Sequence, residues 1–172
     1  IQNKIVVLCG QTGAGKSTLL NVICKQDTFD EGEIYYKGNE TAYFNVDDMD
    51  DFRKNKVGFI FQNYNIIESY TVLQNVMLPY ELKGIPAKEA KKKALAIIDE
   101  VGLHDKINNR GAELSGGQKQ RCVIARALAF EPEILACDEP TGNLDSETGA
   151  EIMALIAKIA HDKLVLVVTH NY

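Results

Sequence analysis

The sequence has no excess of basic residues. Its 172 residues carry 19 Lys and Arg against 24 Asp and Glu, which gives a formal net charge of −5. Proteins that contact nucleic-acid phosphates need a basic surface, so the charge argues against a nucleic-acid partner. A content of 45% hydrophobic and 25% charged residues is ordinary for a globular protein. The length predicts one domain, or one large domain with an inserted subdomain.

The chain also lacks long apolar runs, internal repeats and paired cysteines. No run approaches the roughly 20 apolar residues that cross a bilayer, so any membrane role must involve a partner. The cysteines are scattered without a CxxC pair, and we expect them to be small buried side chains in a reducing compartment. They are Cys9, Cys24, Cys122 and Cys137.

The order of the predicted elements indicates the fold class. Apolar, β-branched runs predict buried strands, and the amphipathic stretches between them predict helices. Strands are predicted over residues 4–9, 57–61, 134–137 and 164–168, and helices over residues 16–25, 115–130 and 145–161. Because apolar strands that alternate with helices form parallel sheets, we predict an α/β fold with a mostly parallel sheet.

Two regions depart from this alternation. Residues 32–45 predict antiparallel strands with a turn at residues 37–39. Residues 71–93 predict a helix that is broken near Pro79 and Gly84. Residues 68–130 are mainly helical, and we predict that they form an inserted subdomain.

Residues 10–17, GQTGAGKS, fit the pattern G-x-x-x-x-G-K-[ST] between a strand and a helix. Its glycines allow positive φ, so that several backbone N–H groups point toward one anion. Lys16 is expected to reach the β- and γ-phosphates of a nucleotide, and the Ser17 hydroxyl to coordinate Mg²⁺. The pattern indicates a P-loop NTPase core. The expected phosphate-binding residues are Gly10, Gly13, Ala14, Gly15, Lys16, Ser17 and Thr18.

Residues 133–140, EILACDEP, place two adjacent acids at the end of a predicted buried strand. Open α/β sheets bind ligands at the carboxyl ends of their strands. Asp138 is expected to hold Mg²⁺, directly or through water. Glu139 is expected to point to the other side of the strand, where it polarises an attacking water.

Residues 114–118, LSGGQ, predict a second anion site at a helix N-terminus. Ser115 suits the N-cap, and Gly116 and Gly117 expose the first helical N–H groups. Simple P-loop kinases and GTPases do not need a second phosphate-binding device, so this motif argues against them.

The set GQTGAGKS, Gln62, LSGGQ, the acid pair and His170, in this order, resembles the nucleotide-binding domains of ABC ATPases. The resemblance covers nearly the whole chain, so residues 1–172 are expected to be a single ABC ATPase domain. Family members start earlier, with strands that carry an aromatic residue for stacking on adenine, and they continue past the switch histidine. The resemblance therefore implies a domain trimmed at both ends.

The resemblance also implies roles for residues that are otherwise unremarkable. In that family two domains pair head to tail, and each ATP lies between one P-loop and the partner's LSGGQ. Asp145 matches an aspartate that acts across this interface, although it also suits a helix N-cap. The implied catalytic residues are Lys16, Gln62, Glu139 and His170, the metal ligands are Ser17, Gln62 and Asp138, and the residues that bind the partner's ATP are Ser115, Gly116, Gly117 and Gln118.

The implied function is ATP hydrolysis by a homodimer that powers a transmembrane permease. Such a domain would be cytoplasmic and peripheral at the inner face of the cell membrane. VGFIFQNYNII and DEPTGNLDS resemble the subgroup of macrolide exporters, lipoprotein-release systems, peptide-antibiotic resistance transporters and the cell-division ATPase. A non-transport role such as a cell-division signalling scaffold stays open. DNA-repair types are disfavoured, because the gap of about 100 residues between P-loop and LSGGQ contains no heptads.

Overall fold

The computed structural model describes residues 5–170, and its elements alternate as an α/β fold requires. The strands are β1 Ile5–Cys9, β2 Tyr35–Tyr36, β3 Asn39–Glu40, β4 Val57–Phe61, β5 Ile134–Asp138 and β6 Leu164–Thr169. The α-helices are α1 Lys16–Ile23, α2 Val46–Asp51, α3 Val72–Leu82, α4 Ala87–Glu100, α5 Gly116–Ala129 and α6 Ser146–Ile159.

Within residues 5–170 the main sheet has four strands in the order β1-β6-β5-β4, and every pairing among them is parallel. Cys9 lies beside Thr169, and Asp138 lies beside both Val168 and Phe61. The carboxyl ends of all four strands therefore meet along one edge of the sheet. The mostly parallel sheet predicted from the sequence is confirmed.

Two hydrophobic clusters cover the two faces of this sheet. Leu135 and Cys137 belong to a cluster with the buried faces of α3, α4, α5 and α6. Ala136 and Leu166 belong to the other cluster, together with Leu20 of α1. The alternation along β5 follows from the period of two in a strand. Burial of a large aliphatic side chain contributes about 1.5–3 kcal/mol, so both layers of helices are held firmly to the sheet.

Between β4 and β5 the regular elements of the described chain are helices, apart from an isolated bridge between Thr71 and Arg110. The predicted break near Pro79 is wrong, because α3 continues through this residue to Leu82. Val76, Pro79 and Tyr80 form a buried face of α3, and that packing outweighs the backbone hydrogen bond that proline cannot donate. Gly84, at φ 72°, separates α3 from α4 as predicted. The limits 68–130 of a helical subdomain stay a prediction.

The antiparallel strands β2 and β3 form a small hairpin that is tied to the main sheet by Glu133. The Glu133 carboxylate lies 2.6 Å from Lys37 Nζ and 3.2 Å from Lys56 Nζ, and it accepts a hydrogen bond from the Tyr36 hydroxyl at 2.6 Å. The contact with Lys37, followed by that with Tyr36, lowers the pKa of Glu133 to about 2. The hairpin is shorter than expected, since residues 41–43 form a 3₁₀ turn.

The cysteine prediction holds for three residues and is wrong for one. Cys24, Cys122 and Cys137 are buried, and burial raises the pKa of all three thiols. Cys9, at the end of the sheet's edge strand, is exposed in the described structure. Among residues 5–170, no helix is both long and apolar enough to cross a membrane.

Candidate active site

The loop between β1 and α1 has the backbone that anion binding requires. Gly13 and Gly15 lie at φ 82° and 81°, in the left-handed region that favours glycine. A Cβ atom at either position would meet nothing within 4 Å, so conformation rather than crowding calls for glycine here. Gly15 is the N-cap of α1, and the first N–H groups of that helix face the loop. The loop therefore offers a concave set of donors for phosphate oxygens.

Lys16 lies within this loop. Its Nζ donates to the carbonyl oxygens of Gly10 at 2.8 Å and Gln11 at 2.9 Å. These neutral acceptors hold the ammonium close to the donors of the loop, and a phosphate oxygen is a stronger acceptor than either. The position agrees with the predicted contact between Lys16 and the phosphates of a nucleotide.

Ser17 and Asp138 meet although 121 positions separate them in the chain. The Ser17 hydroxyl donates to Asp138 Oδ1 at 2.9 Å, which joins the start of α1 to the end of β5. A hydroxyl and a carboxylate are hard oxygen ligands of the type that Mg²⁺ takes together with phosphate oxygens and water. These two predicted metal ligands therefore fit the ion, and they lie beside the phosphate loop.

Glu139 follows Asp138, but it does not continue the alternation of the strand as predicted. Its φ is 49°, because the chain turns out of β5 at this residue. Its N–H donates to Val168 O at 2.9 Å, and its Oε1 lies 2.9 Å from Nδ1 of His170. The two residues follow neighbouring strands, so the sheet itself brings the predicted base and the predicted switch histidine together.

Gln62 follows β4 at the same edge of the sheet. Its Nε2 donates to Asn143 Oδ1 at 3.4 Å, and Asn143 Nδ2 donates back to Gln62 O at 3.0 Å. No described contact joins Gln62 to Ser17 or Asp138. Gln62 is therefore positioned at the site's edge, against the turn that follows Glu139.

The LSGGQ segment forms a separate helix N-terminus. Ser115 is the N-cap of α5, and its side chain and that of Gln118 form a capping box. Gly117 packs against α6, because a Cβ at this position would lie 2.5 Å from Thr148 Cγ2. Within residues 5–170, no hydrogen bond or ion pair joins residues 115–118 to the P-loop. The two anion-binding devices are thus distinct within one chain.

Asp145 caps α6 beside this segment. Its carboxylate accepts hydrogen bonds from the N–H groups of Glu147 and Thr148 and from the Thr148 hydroxyl. The hydrogen bonds from Thr148 are the main reason that the pKa of Asp145 is lowered. The N-cap role that its sequence position suggested is confirmed.

Three polar contacts near the site involve residues that the sequence did not single out. Asn143 holds Gln62, as described above. Gln120 donates to the carbonyl oxygen of Pro140, the residue after Glu139, at 2.6 Å. Arg126 of α5 donates to the carbonyl oxygen of Asn65 at 2.6 Å. Asn143 stands inside the GNLDS motif, but nothing in one sequence pairs it with Gln62.

A groove of about 590 Å³ lies between the start of β4 and the ends of α3 and α5. Its apolar lining includes Val57, Phe59, Leu82, Val123 and Phe130, and its charged lining consists of Arg53, Lys54, Lys83 and Arg126. All of its charged lining residues are basic, although the whole chain carries a net charge of −5.

Comparison with known proteins agrees with this geometry. The family model described as ABC transporter matches residues 2–142. An uncharacterized ABC transporter ATP-binding protein of Thermotoga maritima is 43% identical over 172 residues, covering 99% of this chain and 73% of that protein. The lipoprotein-releasing system ATP-binding protein LolD of Aquifex aeolicus is 41% identical over 171 residues, covering 99% of this chain and 76% of that protein.

A solved structure gives the same result. It is the dimeric post-hydrolysis state of the ATP-binding cassette MJ0796 with ADP and phosphate, and the corresponding protein comes from Methanocaldococcus jannaschii. The TM-score is 0.85 at 40% identity, over 99% of this chain and 76% of that one. The P-loop, the acid pair and LSGGQ thus lie on the fold of a known nucleotide-hydrolysing cassette. The chain belongs to the ABC transporter family, as one of its ATP-binding and ATP-hydrolysing motor domains.

Proposed function

We propose that this chain hydrolyses Mg²⁺-bound ATP between its own P-loop and residues 115–118 of a second copy, and thereby drives a membrane permease. The observation that carries the proposal is the meeting of four strand ends at one edge. That edge places Ser17 beside Asp138 and Glu139 beside His170.

Phosphate and metal binding use the P-loop together with the pair Ser17 and Asp138. The P-loop N–H groups and Lys16 would bind the phosphates, while Ser17 and Asp138 would hold Mg²⁺, with Gln62 as a further ligand. Bound Mg²⁺ supplies charge neutralisation on the phosphate oxygens. The loop and the helix start are preformed, so little rearrangement is needed before the substrate is positioned.

Proton transfer uses the pair Glu139 and His170. Glu139 accepts the proton of the attacking water. Its side chain is only 15% exposed, and the contact with His170 limits its movement. His170, which is 46% exposed, holds Oε1 from one side and leaves the other carboxylate oxygen for the water. A general base of this kind typically contributes roughly 10² to 10⁴ in rate.

The second copy completes the site. Ser115, Gly116, Gly117 and Gln118 lie on a helix N-terminus that attracts anions but has no described contact with the P-loop of its own chain. A head-to-tail dimer would bring this N-terminus to the partner's γ-phosphate. The related MJ0796 cassette has been solved as a dimer, which supports this arrangement.

The permease is proposed to contact the basic groove through an acidic amphipathic helix. The apolar lining would bury the apolar face of such a helix. Lys83 and Arg126, together with Arg53 and Lys54, which share the single acid Asp50, would attract its acidic residues. Arg126 lines the groove and also holds the backbone of Asn65, three residues after Gln62. Binding of a helix in the groove would therefore shift the backbone near Gln62 and affect the candidate active site. The chain would then lie at the cytoplasmic face of the membrane.

Ser115→Arg tests the shared site. The arginine would occupy the place of the partner's γ-phosphate, so we expect normal ATP binding by the monomer and no ATP-dependent dimer. Isothermal titration measures ATP binding. Size-exclusion chromatography with Mg²⁺ and ATP measures the dimer, with each substitution placed in the Glu139→Gln background so that hydrolysis does not dissociate it.

The matched control is Asn45→Arg, which places the same side chain on another N-cap with a capping box. It should dimerise normally. Unchanged dimerisation of Ser115→Arg, or the same loss in Asn45→Arg, would contradict the shared site.

A further inference from the structure

We propose that Asn143 is a positioning residue that holds Gln62 in a fixed position relative to Glu139. The inference rests on the proposed function, because it assumes that Gln62 acts in hydrolysis. It adds a residue to the site that neither the P-loop, the acid pair nor LSGGQ contains.

Asn143 forms two hydrogen bonds with Gln62. Asn143 Nδ2 donates to the backbone oxygen of Gln62 at 3.0 Å, and Asn143 Oδ1 accepts from Gln62 Nε2 at 3.4 Å. One amide thus fixes both the main chain and the side chain of the same residue. A long exposed side chain such as Gln62 otherwise samples many rotamers, so two simultaneous contacts select one of them.

The neighbour of Asn143 makes room for this arrangement. A Cβ atom at Gly142 would lie 2.7 Å from Gln62 Nε2 and 3.1 Å from Gln62 Cδ. The Gln62 side chain therefore lies across the backbone of the turn, and a Cβ at Gly142 would push the end of that side chain away from Asn143. Gly142 has ordinary negative φ, so its small size, and not its conformation, matters here.

The turn is also tied to the predicted base. The N–H of Gly142 donates to the carbonyl oxygen of Glu139 at 3.1 Å, and the N–H of Leu144 donates to Thr141 O at 3.1 Å. Asp145 then begins the cap of α6. Because Asn143 sits within this hydrogen-bonded turn, the position of Gln62 is fixed relative to Glu139.

The test combines Asn143→Ala and Gln62→Ala in a double-mutant cycle on the full-length protein. Kinetics with Mg²⁺-ATP give kcat and KM, and thermal unfolding gives the stability of each variant. Asn143 is exposed, so its replacement should leave the midpoint of unfolding nearly unchanged. Asn108→Ala, at another exposed asparagine, is the matched control.

We expect Asn143→Ala to lower kcat by about 5- to 20-fold, the size of two modest hydrogen bonds, with KM within about twofold. In the Gln62→Ala background the same substitution should change kcat by less than about twofold, because its target is already gone. Asn108→Ala should leave kcat unchanged in both backgrounds. A merely structural role for Asn143 would not depend on Gln62.

Two results would overturn the inference while the proposed function stands. One is an unchanged kcat in Asn143→Ala when Gln62→Ala is slow. The other is an equal loss from Asn143→Ala with and without Gln62. If Gln62→Ala itself hydrolyses ATP at the parent rate, the proposed role of Gln62 fails, and the positioning of that residue by Asn143 fails with it.

Discussion

Glu139 Oε1 lies 2.9 Å from His170 Nδ1, and the two residues follow the adjacent strands β5 and β6. The backbone reinforces this contact, since the N–H of Glu139 donates to Val168 O. The carboxylate is thereby fixed at an unusual backbone position with φ 49°. Residues other than glycine hold such a conformation at a cost, which the surrounding contacts must offset. The strain falls on the residue proposed to be the base.

The packing of Gly117 predicts a stability defect with a specific rescue. In Gly117→Ala the new Cβ would lie 2.5 Å from Thr148 Cγ2. Thr148 cannot easily turn away, because its β-branched side chain is stiff and its hydroxyl is bonded to Asp145. We expect a loss of about 1–3 kcal/mol in the free energy of unfolding, measured with urea.

The rescue is Thr148→Ser, which removes Cγ2 and keeps the hydroxyl that bonds Asp145. The double variant should recover most of the loss caused by Gly117→Ala. If Gly117→Ala unfolds at the same urea concentration as the parent, or Thr148→Ser restores nothing, the close contact between α5 and α6 is wrong.

The contacts of Glu133 predict that the stability difference between the parent and Glu133→Gln depends on pH. Contacts with Lys37 and Tyr36 lower its pKa from 4.5 to about 2 in the folded chain. A lowered folded pKa stabilises the protein fully above the unfolded value, and that stabilisation is lost as pH falls through the folded value. Glu133→Gln should therefore be less stable than the parent at pH 7.

The difference in free energy of unfolding between the parent and Glu133→Gln should narrow between about pH 4.5 and pH 2. Urea titrations at several pH values would show this. The carboxylate is 38% exposed, so solvent screening keeps the gap small, at about 1 kcal/mol. Glu100→Gln, at an exposed glutamate outside this cluster, is the control. A gap that stays constant from pH 7 to pH 2 would contradict the cause given for the lowered pKa.

The basic groove predicts a loss of permease binding on charge reversal. Lys54→Glu combined with Lys83→Glu would place two acids in the groove, where like charges would repel the proposed acidic helix. We expect the affinity-tagged variant to capture much less permease from detergent-solubilised membranes of its source cell. ATP binding should persist, since neither lysine lies at the P-loop.

Lys88→Glu combined with Lys91→Glu is the matched control, with the same change of charge on exposed positions of α4 outside the groove. It should capture permease like the parent. Equal capture by both double variants and the parent would show that the permease binds elsewhere.

The elements that the sequence predicted well share strong local signals. The apolar run before Gly10 and the glycines after it dictate a strand and an anion-binding turn, and β1 and α1 form there. Ser115 also lies at the helix start that its capping pattern predicts. In these cases neighbouring residues in the chain determine the structure.

Contacts between distant segments could not be predicted in the same way. Pro79 suggested a break, but burial of its helix face against α5 overrides the local signal. Glu139 was expected to alternate with Asp138, whereas its hydrogen bonds to β6 and to the following turn redirect the chain. The pairing of Asn143 with Gln62 spans 81 positions and depends on the order of β4 and β5 in the sheet.

Glu139 is proposed to perform the chemistry after ATP has been bound by other residues. Glu139→Gln keeps the size of the side chain but removes a strong base, so it separates binding from hydrolysis. It also removes a negative charge near the γ-phosphate, where like charges repel at short distance. The most direct measurement follows ATPase rate and oligomeric state of this variant together, in the full-length protein with Mg²⁺ and ATP.

We predict that hydrolysis falls by roughly 10² to 10⁴ while ATP still binds. Size-exclusion chromatography should then show a stable ATP-bound dimer for Glu139→Gln and mostly monomer for the parent, which turns its ATP over. Hydrolysis by Glu139→Gln at the parent rate would contradict the account, because a different group would then have to accept the proton of the attacking water.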